Sequence, residues 1–100
     1  MTVYVVGQLK FTDRAAYDRY AARFRGALKQ FEGRVLASDE QPEIIEGRWD
    51  RDKIVLLSFS DATAFHGFFE SAQYQEIAKD RKAGTDTLML FVHGIDCGGG

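Results

Sequence analysis

The chain has 100 residues, which is enough for one domain of ordinary size. Hydrophobic residues make up 45% of the sequence and charged residues 28%, as in an average soluble protein. The formal net charge of −2 argues against nucleic acid as a partner, and no apolar run approaches the roughly 18 residues that would span a membrane.

The first third of the chain predicts a strand followed by a long helix. Residues 2–11 are rich in β-branched and aromatic side chains, which is typical of a strand. Thr12 or Asp13 can cap the helix, predicted over 13–32, by accepting a hydrogen bond from a free N–H of its first turn. Gly26 should cost this helix about 1 kcal/mol, and a close approach to the sheet is one explanation for it. The apolar residues recur at the spacing of one buried stripe: Tyr17, Tyr20, Ala21, Phe24, Leu28 and Phe31.

The middle third predicts three strands. Gly33 suits the left-handed residue that ends a helix, and residues 34–38 have the composition of a second strand. A turn around the single proline leads to EIIEGR at 43–48, which we interpret as a short edge strand. The segment KIVLLSFS at 53–60 is the strongest strand signal of the region.

The last third predicts a helical region and a final strand. Ser60 or Asp61 can cap the second helix, and Ser71 can bend or restart it through its hydroxyl group. We expect this helix to end near Gly84. The apolar segment at 87–95 then forms the last strand.

This element order, β-α-β-(β)-β-α-β, predicts a ferredoxin-like α+β fold with both helices on one face of an antiparallel sheet. We expect a single domain over residues 1–96 and a flexible tail over 97–100. The single cysteine, Cys97, cannot form a disulfide within the chain, so we expect a reducing compartment, the cytoplasm. The start of the chain lacks the basic and apolar regions of a signal peptide.

Alternation along the strands predicts that both faces of the sheet are apolar. One set of alternate residues suits the helices: Val3, Val5, Gly7, Leu9, Val55, Leu57, Phe59, Leu88, Leu90 and Val92. The opposite set is mixed but largely apolar: Tyr4, Val6, Gln8, Ile54, Leu56, Ser58, Met89, Phe91 and His93. A sheet with one face in water should alternate more cleanly, so we expect a second copy of the chain to cover this face. The predicted homodimer interface includes Tyr4, Leu56, Met89 and Phe91.

In order and spacing, several segments resemble the dimeric α+β barrel superfamily and, within it, the domain of unknown function 1330 family. They cover residues 2–95 and comprise VYVVGQLKFTDRAAYDRYAARF, FEGR, PEIIEGRW, IVLLSFSD and FFESAQYQEIAKDR. The resemblance implies a dimer whose function is not established. The family usually has Glu where this chain has Ser58, and Tyr where it has Phe69. Related haem-degrading barrels supply a histidine ligand where this chain has Ala78, so the resemblance does not imply haem.

Four residues are candidates for binding a ligand. Tyr74 and Arg81 lie two helical turns apart, so they share one face of the second helix. Arg81 could hold a carboxylate, with Tyr74 orienting it or passing a proton. Alternatively, Tyr74 is a core residue, and Arg81 is partly exposed and complements the helix end. His93 and Ser58 are expected close together on the second sheet face, where His93 is a base in a pocket or an interface residue.

The sequence leaves two functions open. The dimer could bind a small, partly apolar organic molecule without catalysis. It could also be a cofactor-independent monooxygenase or isomerase of small aromatic or lactone-like compounds, an alternative that rests on analogy with other dimeric barrels. We expect no metal, haem or flavin, because no ligand cluster or nucleotide-binding loop is present in the sequence. RNA-recognition domains share the element order, but residues 53–60 lack the pattern of their third strand.

Overall fold

The computed structural model describes residues 1–95, which form a four-stranded antiparallel sheet and three helices. The strands are β1 (Val3–Phe11), β2 (Arg34–Asp39), β3 (Lys53–Phe59) and β4 (Thr85–His93). The helices are α1 (Arg14–Lys29), α2 (Ala62–Phe69) and α3 (Ala72–Gly84). The sheet order β2-β3-β1-β4 is that of the predicted ferredoxin-like fold. Cys97 and the tail predicted at 97–100 lie outside the described residues.

Each helix begins at a side chain that accepts a hydrogen bond from its first turn, as predicted. Asp13 accepts from the N–H of Ala16 at 3.3 Å, and Asp61 accepts from the N–H of Ala64 at 2.8 Å. Ser71 accepts from the backbone N–H of Tyr74 at 3.1 Å and also donates its hydroxyl to a backbone carbonyl of α2 at 2.7 Å. The second helical region is therefore divided into α2 and α3 at Ser71.

The turn after α1 differs from the prediction. Glu32, and not Gly33, adopts the positive φ angle, 59°. A Cβ atom at Gly33 would overlap the Leu28 side chain and lie 2.8 Å from the Phe59 ring. Glycine is required at position 33 because the chain passes close to two buried side chains there.

The segment EIIEGR does not form the predicted edge strand. Residues 40–52 are an irregular connection between β2 and β3, and Gly47 has a φ angle of 91°, which is incompatible with an extended strand. Two side chains attach this connection to β1. The indole N–H of Trp49 donates to the side-chain oxygen of Gln8 at 3.1 Å, and the N–H of Phe11 donates to the Asp52 carboxylate at 2.8 Å.

The faces of β4 are opposite to those predicted. Gly7 of β1 pairs with Met89, and directly paired residues of antiparallel strands point to the same face. Met89, Phe91 and His93 therefore lie on the helix side, and the Phe91 ring is 5.0 Å from the ring of Phe65 in α2. Met89 and Phe91 accordingly pack against the core and do not belong to the predicted interface. The error arose because both alternate sets of β4 are largely apolar, so only its pairing with β1 decides which set is buried.

The core fills the space between the helices and the inner face of the sheet. Most of its largest side chains are aromatic, and they form edge-to-face and tilted contacts with one another. The residues that are buried in this core are Val3, Val5, Leu9, Tyr17, Tyr20, Ala27, Leu28, Leu57, Phe59, Phe68, Tyr74, Ile77 and Ala78. Because α1 and α3 pack side by side, the last turn of α3 lies next to α1.

Candidate functional site

A cavity of about 110 Å³ lies between α1 and the inner face of the sheet. At about 30 Å³ per molecule of liquid water, this volume corresponds to three or four waters. The floor includes Gly7 of β1, where a Cβ atom would come no closer than 3.9 Å to the nearest atom beyond its chain neighbours. The missing side chain therefore leaves room on the floor. The apolar and aromatic lining comprises Val5, Leu9, Tyr17, Tyr20, Ala21, Phe24, Val35, Val55, Leu57 and Met89.

Arg81 lines this cavity from the last turn of α3 and is only 8% exposed. Its Nε atom has no hydrogen-bond partner, and its guanidinium forms no ion pair, within residues 1–95. The prediction of a partly exposed arginine paired at the helix end is therefore wrong. The buried stripe of α3 runs through Tyr74, Ile77 and Ala78 and carries Arg81 into the core, because residues seven apart share a helix face.

Two tyrosine hydroxyl groups meet beside this arginine. The hydroxyl oxygens of Tyr20 in α1 and Tyr74 in α3 are 3.0 Å apart and share a hydrogen bond. Tyr74 is 1% exposed, which confirms its predicted burial. Tyr20, its hydrogen-bond partner, is part of the cavity lining. The guanidinium carbon of Arg81 lies 6.0 Å from the centre of the Tyr20 ring. Sequence reasoning placed Tyr20 in the buried stripe of α1 but missed it as a site residue, because its partners belong to another helix.

Burial keeps the Tyr20 phenol in its neutral form. Removal from water raises the pKa of Tyr20 well above its usual value near 10, and the neighbouring hydroxyl of Tyr74 raises it further. The positive charge of Arg81 opposes this shift only in part. The cavity wall therefore carries a fixed cation next to a phenol that retains its proton at neutral pH.

The charged residues around the cavity are all basic. Besides Arg81, the lining contains Arg25 of α1 and Lys53 of β3, and no aspartate or glutamate of residues 1–95 is part of it. The ammonium nitrogen of Lys53 lies 5.0 Å from the centre of the Tyr17 ring and 3.9 Å from a carboxylate oxygen of Glu40. The remaining polar lining residues are Ser38 and Thr87.

The four candidates from the sequence do not form one site. Arg81 lines the cavity, whereas Tyr74 is not part of the lining and reaches it only through its hydrogen bond to Tyr20. Ser58 pairs with Tyr4, which places it on the open face of the sheet. His93 pairs with Val3 on the helix side, where it is exposed and its ring is 5.0 Å from the Phe91 ring. The prediction that His93 and Ser58 lie close together is wrong, and neither lines the cavity.

Among residues 1–95, no group of three or more histidine, cysteine, aspartate or glutamate side chains could hold a metal ion. None of the helices in the same part of the chain is both long enough and apolar enough to cross a membrane.

Comparison with known proteins assigns the family. The sequence model of the family described as "Domain of unknown function (DUF1330)" matches residues 2–95. The chain belongs to the DUF1330 family. No curated protein matches the sequence.

Three solved structures show the same fold as this DUF1330 protein. RPA0582 from Rhodopseudomonas palustris, a protein of unknown function, has a TM-score of 0.82 at 14% identity, over 95% of this chain and 83% of that one. A dimeric ferredoxin-like protein of unknown function from Jannaschia sp. CCS1 has a TM-score of 0.75 at 15% identity, over 94% and 100%. SnoaB from Streptomyces nogalater, a cofactor-independent oxygenase, has a TM-score of 0.68 at 14% identity, over 95% and 94%. At these identities, the similarity shows the fold alone.

Proposed function

We propose that this DUF1330 protein binds a small, partly apolar organic molecule in the cavity between α1 and the sheet. The observation that supports the proposal is the lining, in which aromatic and aliphatic side chains outnumber a few polar and basic groups. Small-molecule sites commonly have this composition, because apolar walls provide affinity and a few polar groups fix the orientation.

The volume limits the size of the molecule. An apolar cavity of about 150 Å³ in another protein accommodates benzene, so a cavity of about 110 Å³ encloses a short branched chain, and part of a ring would lie at its open side. A larger ligand would require α1 or the connection at 40–52 to move.

We also propose that the protein is a homodimer formed through the open face of the sheet. Leu88, Leu90 and Val92 of β4 lie on this face with 43%, 45% and 41% exposure, and Tyr4 and Leu56 lie on the same face. The described chain measures 43 × 39 × 16 Å, and 16 Å leaves room for one sheet and one layer of helices. A second copy would cover the apolar face, and the structural neighbour from Jannaschia is described as dimeric.

A cavity-filling substitution tests the binding proposal. Gly7→Val adds three carbon atoms at the floor, and a Cβ atom fits there without a clash. We expect a panel of small monocyclic acids, amides and alcohols, measured by calorimetry, to contain compounds that saturate the parent protein. These compounds should bind at least about tenfold more weakly to Gly7→Val because the space is filled.

The matched control is Gly26→Ala, a glycine substitution on the exposed side of α1 with no atom within 4 Å of the new Cβ. It should leave binding unchanged. The cavity is not the binding site if the compounds bind Gly7→Val as tightly as the parent protein. The binding proposal itself fails if no compound in the panel saturates the parent.

A second candidate function is a cofactor-independent monooxygenase or isomerase. It is favoured by the Tyr20–Tyr74 hydroxyl pair, which places a protonated phenol at the cavity wall, and by the fold similarity to an enzyme described as a cofactor-independent oxygenase. Incubating the bound compounds with oxygen and analysing them by liquid chromatography with mass spectrometry, which separates isomers and detects added oxygen, would decide between the two functions. A simple binding protein returns each compound unchanged, whereas an enzyme yields a product whose formation slows in Tyr20→Phe.

A further inference from the structure

We infer that the ligand is a small monocarboxylate, held with its carboxylate against the guanidinium of Arg81 and its apolar part over Gly7. This inference rests on the proposed binding function and specifies the class of molecule.

The first observation is the state of Arg81. An arginine side chain keeps its positive charge at any pH that a folded protein survives. Here it is 8% exposed, and its Nε atom has no partner within residues 1–95. A buried cation without an anion is costly, so an anion that entered the cavity would supply the missing partner.

The second observation is that nearby carboxylates are already engaged elsewhere. Asp80, the residue before Arg81, pairs with Arg19 at 3.3 Å. Glu40 pairs with Arg14 at 2.9 Å and lies 3.9 Å from the ammonium of Lys53, so Lys53 has a carboxylate neighbour whereas Arg81 has none in the described part of the chain. The chain contains 15 acidic and 13 basic residues, yet none of its acidic residues among 1–95 lines the cavity. The cavity wall is therefore positive in a chain whose net charge is negative, which favours an anion over a neutral or cationic ligand.

The third observation is a second donor beside the cation. When two hydroxyl groups share one hydrogen bond, only one of their protons is used. If Tyr74 donates to Tyr20, the proton of Tyr20 is free to donate to an anion in the cavity. The carboxylate would then receive N–H donors from the planar guanidinium and one O–H donor from Tyr20. Flat carboxylates suit the fork of an arginine, because two parallel N–H bonds can reach both oxygens.

The shape of the cavity determines the rest of the ligand. Most of the lining besides Arg81 consists of aliphatic and aromatic side chains, and the volume of about 110 Å³ admits a body no larger than one ring. A branched aliphatic acid meets both requirements, and benzoate, the larger of the two, would extend to the open side of the cavity. Such a ligand would lose its hydration in the cavity, which strengthens the attraction between its charge and Arg81.

The test compares benzoate with benzamide, which has nearly the same shape and no charge, by calorimetry on the full chain at neutral pH. We expect the parent protein to bind benzoate at least about tenfold more tightly than benzamide. In Arg81→Met, which keeps an unbranched side chain of similar length, this preference should disappear while benzamide binding stays close to that of the parent. Arg81→Lys keeps the charge but not the fork, so it should retain an intermediate preference.

The control is Lys82→Met, which removes one exposed positive charge from the same helix without touching the cavity. It should bind benzoate like the parent. Equal binding of benzoate and benzamide by the parent, or a preference that survives in Arg81→Met, would overturn the inference and leave the binding function intact. Failure of both compounds to bind the parent would count against the proposed function itself, and the inference would fall with it.

A measurement without ligand provides an independent check. If the guanidinium of Arg81 has no partner in the ligand-free protein, replacing it should not destabilise that protein, because no hydrogen bond or ion pair is lost with the charge. We therefore expect Arg81→Met to unfold at the same or a higher temperature than the parent. A large fall in its unfolding temperature would show that Arg81 has a structural partner and would overturn the inference.

Discussion

Replacing Gly84 by alanine should destabilise the protein and disturb the cavity. Gly84 ends α3, three residues after Arg81, and packs against the first turn of α1. A Cβ atom there would lie 2.5 Å from the carbonyl oxygen of Asp13, 2.7 Å from the backbone nitrogen of Tyr17 and 3.0 Å from the Cβ atom of Ala16. Two of these three neighbours are backbone atoms, so no side-chain rotation can relieve the contact.

The magnitude follows from three contributions. Overpacking of this kind costs about 1–3 kcal/mol. The carbonyl of Gly84 accepts hydrogen bonds from the N–H groups of Thr12 and Asp13 at 2.9 and 3.1 Å, and stretching them would cost up to about 1 kcal/mol each. The better helix propensity of alanine offsets at most about 1 kcal/mol of this loss of stability. The free energy of unfolding should therefore fall by about 2–3 kcal/mol, which lowers the unfolding temperature of a chain of this size by roughly 10–20 °C.

Urea unfolding followed by circular dichroism measures this change, with all variants at one protein concentration because a dimer's stability depends on it. Gly26→Ala is the matched control, since alanine at that exposed position in α1 meets no atom within 4 Å. We expect the control to gain about 0.5–1 kcal/mol. A Gly84→Ala protein as stable as the parent would refute the idea that the close approach of α3 to α1 requires glycine.

Three further substitutions have definite expected outcomes. Leu90→Glu should weaken self-association at least about 100-fold, because it places an unpaired charge in the proposed dimer interface. Light scattering across a concentration series measures the association, and a dimer as stable as that of the parent would contradict the prediction. Tyr20→Phe should make the stability of the protein fall less steeply at alkaline pH. The raised pKa of Tyr20 in the folded state contributes stability that is fully present below about pH 10 and is lost as the pH rises through the folded pKa. Because the variant also loses the hydrogen bond to Tyr74, the difference between the urea midpoints of parent and variant should stay constant from neutral pH to about pH 10 and change only above it. Asp61→Ala removes the acceptor at the start of α2 and should cost about 1 kcal/mol in the same urea assay, whereas a loss below a few tenths would contradict the capping role.

The parts of the fold that could be predicted from the sequence are those with one strong local signal. The stripe of α1 and the capping residues Asp13, Asp61 and Ser71 follow from bonds within a few residues of the chain. The pattern of β4 could not assign its buried face, because both of its alternate sets are largely apolar and the register comes from a distant strand. The segment 43–48 contains two isoleucines that suggested a strand, but no neighbouring strand pairs with it in the described chain.

The candidate site was predicted in part. The spacing of Tyr74 and Arg81 correctly placed both residues on one face of the helix, and that face is buried. The expectation of an exposed Arg81 came from the usual preference of arginine for water and for helix ends, which the packing of α3 against α1 overrides. Tyr20 could not be identified from α1 alone, since its role depends on a hydroxyl group that another helix supplies.

Both faces of the sheet carry many apolar residues, so the strand sequences alone do not show which face is buried. Within β1, Gly7 points toward the cavity, whereas Val6 and Gln8 on either side of it point to the open face. A ligand over Gly7 and a second copy of the chain over Val6 would therefore occupy opposite sides of one strand. Each would require its own set of apolar residues, which is consistent with the weak polar alternation along these strands. Arg81 breaks this apolar environment on the cavity side, where its Nε atom has no partner within residues 1–95, and a buried charge of this kind costs stability until an anion joins it.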